Sequence, residues 1–201
     1  MKPTTAVILA GGANRRYPTI KAFIKIGPTT IIERNLSLLG CLFNTVFINT
    51  NTPEVYARLG APMIGDVLPS RGPMTGIHAA LLNAGGDSVF VAACDMPFLN
   101  ADVVSLIVER YRECSSAGPC DAVVPVFNGA PQPLCGVYAK SMLVLLEEGV
   151  MNDKASLKPL LSEVRTHFIN EDVVRSIDPE GRSFANINTP EDYGRLIASS
   201  S

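Results

Sequence analysis

Tryptophan is missing from this chain, so its core must rest on aliphatic side chains, eight Phe and five Tyr. No apolar run reaches the roughly 20 residues that a membrane-spanning helix requires. The first residues pass straight into a strand-like run without the pattern of a secretory leader, so a cytoplasmic protein with no membrane partner is expected. The five cysteines, Cys41, Cys94, Cys114, Cys120 and Cys135, are odd in number and share no CxxC or zinc-ligand spacing, which favours reduced thiols over a disulfide frame. The two histidines, His78 and His167, have no partner at metal or triad spacing and read as structural. An excess of either charge is lacking too: 17 basic and 19 acidic residues leave a formal charge of −2, which argues against nucleic acid as a partner. Neither GxxxxGK[ST] nor a complete dinucleotide fingerprint occurs.

What is present points to an α/β domain. With 201 residues, 47% hydrophobic and 18% charged, one domain over 1–201 with a well-buried sheet is expected. The run Ala6-Val7-Ile8-Leu9-Ala10-Gly11-Gly12-Ala13-Asn14-Arg15-Arg16, followed by Lys21, reads as a buried strand feeding a phosphate-cradling loop. Gly11 and Gly12 would supply φ > 0 and let backbone N–H groups approach an anion, and Arg16 and Lys21 would add full positive charge. Taken alone, the same stretch also fits an ordinary strand-to-helix turn with solvated arginines.

The rest of the chain alternates strand and helix. Strands are expected at 5–10, 45–49, 61–64, 88–93, 121–127, 134–138 and 166–169. Helices are expected from a Thr29 or Thr30 cap to Leu39, from Pro53 behind Thr52, over 77–83, over 101–111 behind Asn100, near 141–148 and 156–161, and from Pro190. This order predicts a Rossmann-like, doubly wound, mostly parallel sheet, with an antiparallel excursion at the Asn128-Gly129-Ala130-Pro131 turn.

In such sheets ligands bind at the carboxyl ends of the strands. The loops expected to converge carry Gly11, Asn49, Asp66, Asp95 and the Asn186-Ile187-Asn188 run. Asp95 ends the most strand-like segment and is stiffened by Pro97, and one carboxylate facing a triphosphate loop suffices for Mg²⁺. The alternative roles are a cap for the following helix at Asp95, a turn at Asp66, and Asx turns at Asn49 and Asn51. Cys94 reads as a small buried residue rather than a nucleophile.

LAGGANRR with Lys21, GPMTGI at 72–77, CDMPFL at 94–99, QPLCGVY at 132–138 and FANINTPEDY at 184–193 together resemble the molybdenum cofactor guanylyltransferase (MobA) family. The resemblance covers nearly the whole chain and implies a nucleotide-diphospho-sugar-transferase-like fold. It also implies transfer of GMP from GTP to molybdopterin, with Mg²⁺ as cofactor and contacts to other molybdenum cofactor proteins. Leu9, Ala10, Gly11 and Gly12 are thereby assigned to the guanine nucleotide, Lys21 and Arg16 to its phosphates, and Asn49 and Asp66 to nucleotide contacts. Asp95 is assigned to both nucleotide and Mg²⁺, and Asn186 and Asn188 to the neighbourhood of the reacting centre. Arg71 and residues 132–134 are candidates for the pterin.

One departure stands out: similar enzymes read RMGxDK where this chain has Arg16-Tyr17-Pro18-Thr19-Ile20-Lys21. Pro18 removes a backbone donor and fixes φ, so the loop must close differently while Arg16 and Lys21 keep their spacing. The rival readings are a related nucleotidyltransferase using CTP or a sugar phosphate, and a non-catalytic module that binds nucleotide or cofactor.

Overall fold

A computed structural model of the chain describes residues 5–11, 21–69, 72–152, 156–187 and 192. Strand β1 (Thr5–Leu9) shows how the fold is held. Its side chains alternate between two hydrophobic cores, Ala6 and Ile8 entering one, Val7 and Leu9 the other, as a strand covered on both faces requires.

A short hairpin follows, β2 (Lys25–Ile26) and β3 (Thr29–Thr30), turning at Gly27 with φ 66°. Thr30 then caps helix α1 (Ile31–Leu42) in a capping box with Glu33. Strand β4 (Thr45–Asn49), the single turn of helix α2 (Pro53–Tyr56), strand β5 (Met63–Ile64), helix α3 (Pro73–Asn83) and strand β6 (Ser88–Ala93) complete the first half. Helix α3 begins one turn earlier than the expected 77, because Pro73 supplies a fixed φ at its first position behind Gly72. Helix α4 runs over Ala101–Ala117, past the expected 111, and Asn100 caps it by accepting the Asp102 N–H at 2.7 Å.

In the second half, β7 (Ala122–Phe127) turns through Asn128 and Gly129, both at positive φ, into the short β8 (Ala130–Pro131), and β9 (Cys135–Ala139) returns. Helices α5 (Leu143–Met151) and α6 (Leu157–Glu163), strand β10 (Thr166–Ile169) and helix α7 (Glu171–Arg175) follow. Helix α7 was not expected; it is a single polar turn with little periodicity to betray it. The helix expected from Pro190 lies outside the described residues.

Among the described residues the main sheet is ordered β10-β7-β9-β6-β1-β4-β5, with β8 paired to β7. Strand β1 is parallel to β4 and β6, β4 to β5, and β10 to β7, whereas β9 runs antiparallel between β6 and β7. The antiparallel excursion is therefore a strand inside the sheet. Helices α1 and α4 cover one face through Ile32, Leu39, Val103, Val104 and Ile107. Helices α3, α5 and α6 cover the other through Ile77, Leu81, Leu146, Leu157 and Leu160. No helix among the described residues is long and apolar enough to cross a membrane.

Candidate active site

The carboxyl ends of β1, β4 and β6 are stitched together just past the last ladder residues. The Ala10 N–H donates to the Asn49 carbonyl at 2.9 Å, and the Cys94 N–H donates to the Leu9 carbonyl at 3.1 Å. These two bonds bring Asn49 and Asp95 to either side of the glycine end of β1. Between them opens a cavity of about 200 Å³ lined by Leu9, Ala10, Gly11, Lys21, Asn49, Tyr56, Gly72, Pro73, Ala93, Cys94, Asp95 and Leu134.

Lys21 opens a 3-10 turn (Lys21–Phe23) and reaches Asp95, Nζ to Oδ2 3.5 Å, with both side chains about one-fifth exposed, 18% and 20%. Burial pushes the Asp95 carboxyl up from its ordinary range, and the Lys21 ammonium relieves only part of that shift. The result is a carboxylate that lines the cavity and is costly to ionise there. Asp95 does not cap α4, since Asn100 does, so the capping alternative falls. Burial also pushes the Cys94 thiol up to about 12, which keeps it protonated and unreactive at neutral pH.

Asn49 is buried, and its side-chain amide donates from Nδ2 to Asp66 Oδ1 at 3.1 Å. Asp66 is gripped from its other side by Asn51, whose Nδ2 donates to Oδ2 at 2.8 Å and whose Oδ1 accepts the Asp66 N–H at 2.9 Å. Asn51 therefore forms a clamp on Asp66 rather than an Asx turn. Gly76 of α3 is what lets Asn49 sit here: a Cβ on it would fall 2.5 Å from Asn49 Oδ1 and 2.8 Å from Leu9 Cδ2.

Of the residues expected to converge, Leu9, Ala10, Gly11, Lys21, Asn49 and Asp95 line the one cavity. Asp66 stands one hydrogen bond behind it. Gly11 does not carry a positive φ; its lack of Cβ instead lets the backbone approach Asn49, whose Oδ1 would lie 3.7 Å from a Cβ there. Residues 186–187 do come to Asp95, the Ile187 N–H donating to the Asp95 carbonyl at 3.2 Å, but the Asn186 side chain is exposed. Gly12, Arg16, Arg71 and Asn188 lie outside the described residues. Leu134 reaches the cavity, whereas Gln132 folds back to donate from Nε2 to the Phe127 and Ala130 carbonyls. Sequence reasoning missed Tyr56, because a lone aromatic in a one-turn helix carries no motif.

Residues 6–167 match the model of the MobA-like NTP transferase domain, most of the chain and all of the strand ends just described. The chain belongs to that family. Among its MobA-like relatives, a molybdenum cofactor guanylyltransferase of Syntrophotalea carbinolica is 32% identical over 96% of this chain and 90% of that protein. One of Desulfosudis oleivorans is 34% identical over 98% and 96%. The crystal structure of molybdopterin-guanine dinucleotide biosynthesis protein A from Archaeoglobus fulgidus superposes with a TM-score of 0.84 at 29% identity, covering 98% of this chain and all of that one, 100%. The MobA-like family is one of nucleotidyltransferases, and this chain shares the fold of the Archaeoglobus protein over nearly its whole length.

Proposed function

We propose that this protein, as one nucleotidyltransferase domain, transfers the GMP unit of GTP to the terminal phosphate of molybdopterin and releases pyrophosphate. The observation that carries the reading is the Lys21 ammonium facing the Asp95 carboxylate at 3.5 Å across the backbone floor of Leu9, Ala10 and Gly11. Relatives similar over nearly their whole length, named molybdenum cofactor guanylyltransferases, support the choice of substrates.

In the proposed reaction a phosphate oxygen of molybdopterin attacks the α-phosphorus of GTP, forming the new P–O bond. The bond from that phosphorus to the α,β-bridging oxygen breaks, and pyrophosphate departs with the electron pair. A phosphate nucleophile is already anionic at neutral pH and needs no strong base. That agrees with a cavity lined by a protonated Cys94 and no histidine. The chain's work is then positioning and charge neutralisation. Lys21, with Arg16, holds the departing phosphates; the Leu9–Gly11 backbone and Asn49, oriented by Asp66, hold the nucleoside.

The residues present fit Mg²⁺. Asp95 is a part-buried carboxylate whose charge Lys21 compensates incompletely, and it faces the place where phosphates would lie. Mg²⁺ is content with one or two carboxylates plus phosphate oxygens and water. Among the described residues there is no group of three or more His, Cys, Asp or Glu that could cage an ion, so substrate and solvent would complete the coordination. Bound on Asp95, the ion would supply neutralisation of the charge that gathers on the α-phosphate.

The test is pyrophosphate release by the purified chain with GTP and Mg²⁺, with and without molybdopterin, and with CTP or ATP competing. Release that requires molybdopterin and prefers GTP is expected. Release with CTP preferred would replace the guanylyl reading by the cytidylyl one, and nucleotide binding without release would leave a non-catalytic module.

A further inference from the structure

The residue in this cavity that no motif accounts for is Tyr56. It ends α2, is 2% exposed, lines the cavity and touches both halves of the candidate site. Its hydroxyl donates to the Ala10 carbonyl at 3.3 Å. Its ring stacks on Phe23, centroids 5.4 Å apart at 25°, and the Arg58 guanidinium lies over the Phe23 ring, 4.7 Å from its centre. Phe23 is the last residue of the 3-10 turn that Lys21 begins, and the Ile24 N–H donates to the Lys21 carbonyl at 3.1 Å to close that turn.

The two contacts act on different parts. A trans peptide is planar, so a fixed Ala10 carbonyl also fixes the Gly11 N–H on the opposite edge of the same unit. Among the described residues, the nearest other hydrogen bond is that of the Ala10 N–H to the Asn49 carbonyl, and it belongs to the preceding peptide. The ring contact acts instead on the base of the Lys21 turn, and through it on the distance from Nζ to Asp95.

We infer that Tyr56 is a positioning residue that fixes the glycine end of β1 and the Lys21 turn relative to each other. The inference rests on the nucleotidyltransferase reading above. It predicts that the two contacts separate kinetically. The hydroxyl orients backbone that holds the nucleotide before and during reaction, so its loss raises KM. The stack orients the ammonium that meets charge developing on the leaving group, so its loss lowers kcat.

The experiment compares Tyr56→Phe, which keeps the ring, with Phe23→Leu, which keeps the hydroxyl, and with the double variant, all in the full chain. Calorimetric GTP binding and melting temperature are measured beside turnover. Tyr56→Phe is expected to weaken GTP binding and raise KM by about fivefold with kcat within about twofold, the effect of one neutral hydrogen bond. Phe23→Leu is expected to lower kcat by about tenfold at nearly unchanged GTP affinity. Variants that melt earlier yet keep wild-type GTP affinity and turnover at low temperature would reduce Tyr56 to a core residue and overturn the inference. Equal loss of affinity and kcat in both variants would overturn the separation. Wild-type protein that binds GTP without turnover would fail the transferase reading while the affinity arm still judges Tyr56; wild-type protein that binds no GTP would overturn both.

Discussion

Lys21 and Asp95 stand 74 positions apart in the chain, and their side chains meet at 3.5 Å across the glycine end of β1. The pair is looser than a tight ion pair, and the carboxylate keeps a raised pKa because burial outweighs the ammonium. Such a carboxylate is held at the expense of stability, and on the proposed reading it would gain by taking up a cation.

Replacing Asp95 by Asn therefore separates function from stability. Transfer is expected to fall by at least about 100-fold, since the proposed cation position loses its charge. The folded protein is expected to melt higher at neutral pH. The sign follows from proton counting: with the folded-state pKa above the unfolded one, the native state binds more protons between the two values, and stability falls as pH rises through that window. The gain from Asp95→Asn should shrink as pH is lowered toward the ordinary carboxylate range. Thermal denaturation of both proteins across pH, beside pyrophosphate release, checks this; undiminished turnover at saturating Mg²⁺ would reject the role of Asp95.

Gly76→Ala tests the seating of Asn49. A methyl group 2.5 Å from Asn49 Oδ1 must push that side chain or helix α3 aside. A loss of about 1–3 kcal/mol in stability is expected, together with a rise in KM for GTP of about tenfold. Chemical denaturation and initial rates read the two effects; a fully wild-type KM would show that Asn49 does not touch the nucleotide.

Asn51→Ala leaves Asn49 and Asp66 in place but removes both clamps on Asp66. Asp66 then swings toward water and no longer fixes which end of the Asn49 amide faces the cavity. Selectivity for GTP over CTP is expected to drop by about three- to tenfold, measured by competition, with kcat for GTP little changed. The double variant with Asp66→Ala should be no worse than Asp66→Ala alone, because Asn51 acts only through that carboxylate.

At the opposite end of the sheet, Asp121 accepts from Ser141 Oγ and from the backbone, Nε and Nη2 of Arg165. The Arg165 hydrogen bonds hold its carboxyl down at about 2 from an ordinary 3.8. A depressed carboxylate stabilises the fold above its unfolded pKa and loses that contribution as pH falls through the folded value. Asp121→Asn is expected to destabilise by about 1–3 kcal/mol at pH 7. The difference from wild type should close between pH 4 and about 2, and GTP turnover at low temperature should be untouched. Urea titrations at several pH values provide the check.

Much of this molecule was legible in the residues alone. The strands at 45–49, 88–93 and 166–169 begin and end where the residues predict; in 88–93 the apolar run is nearly unbroken because all but its first residue are buried. The Thr30 and Asn100 caps were readable because capping is chemistry between near neighbours. Helix ends were less legible: α4 outlasts its apolar face, since its final turn is held by backbone bonds that any polar residue permits.

Sequence by itself determined the alternation of strand and helix, the loops that leave strand ends, and the family, because each depends on local pattern or on motifs carried in order. Only the tertiary structure decided which groups face one another. It drew Lys21 to Asp95, set Asp66 behind Asn49, seated Asn49 against Gly76, and placed Tyr56 against the glycine end of β1. Those relationships depend on strand order and on the parallel register of β1 with β4 and β6, long-range choices that no local stretch of the chain encodes.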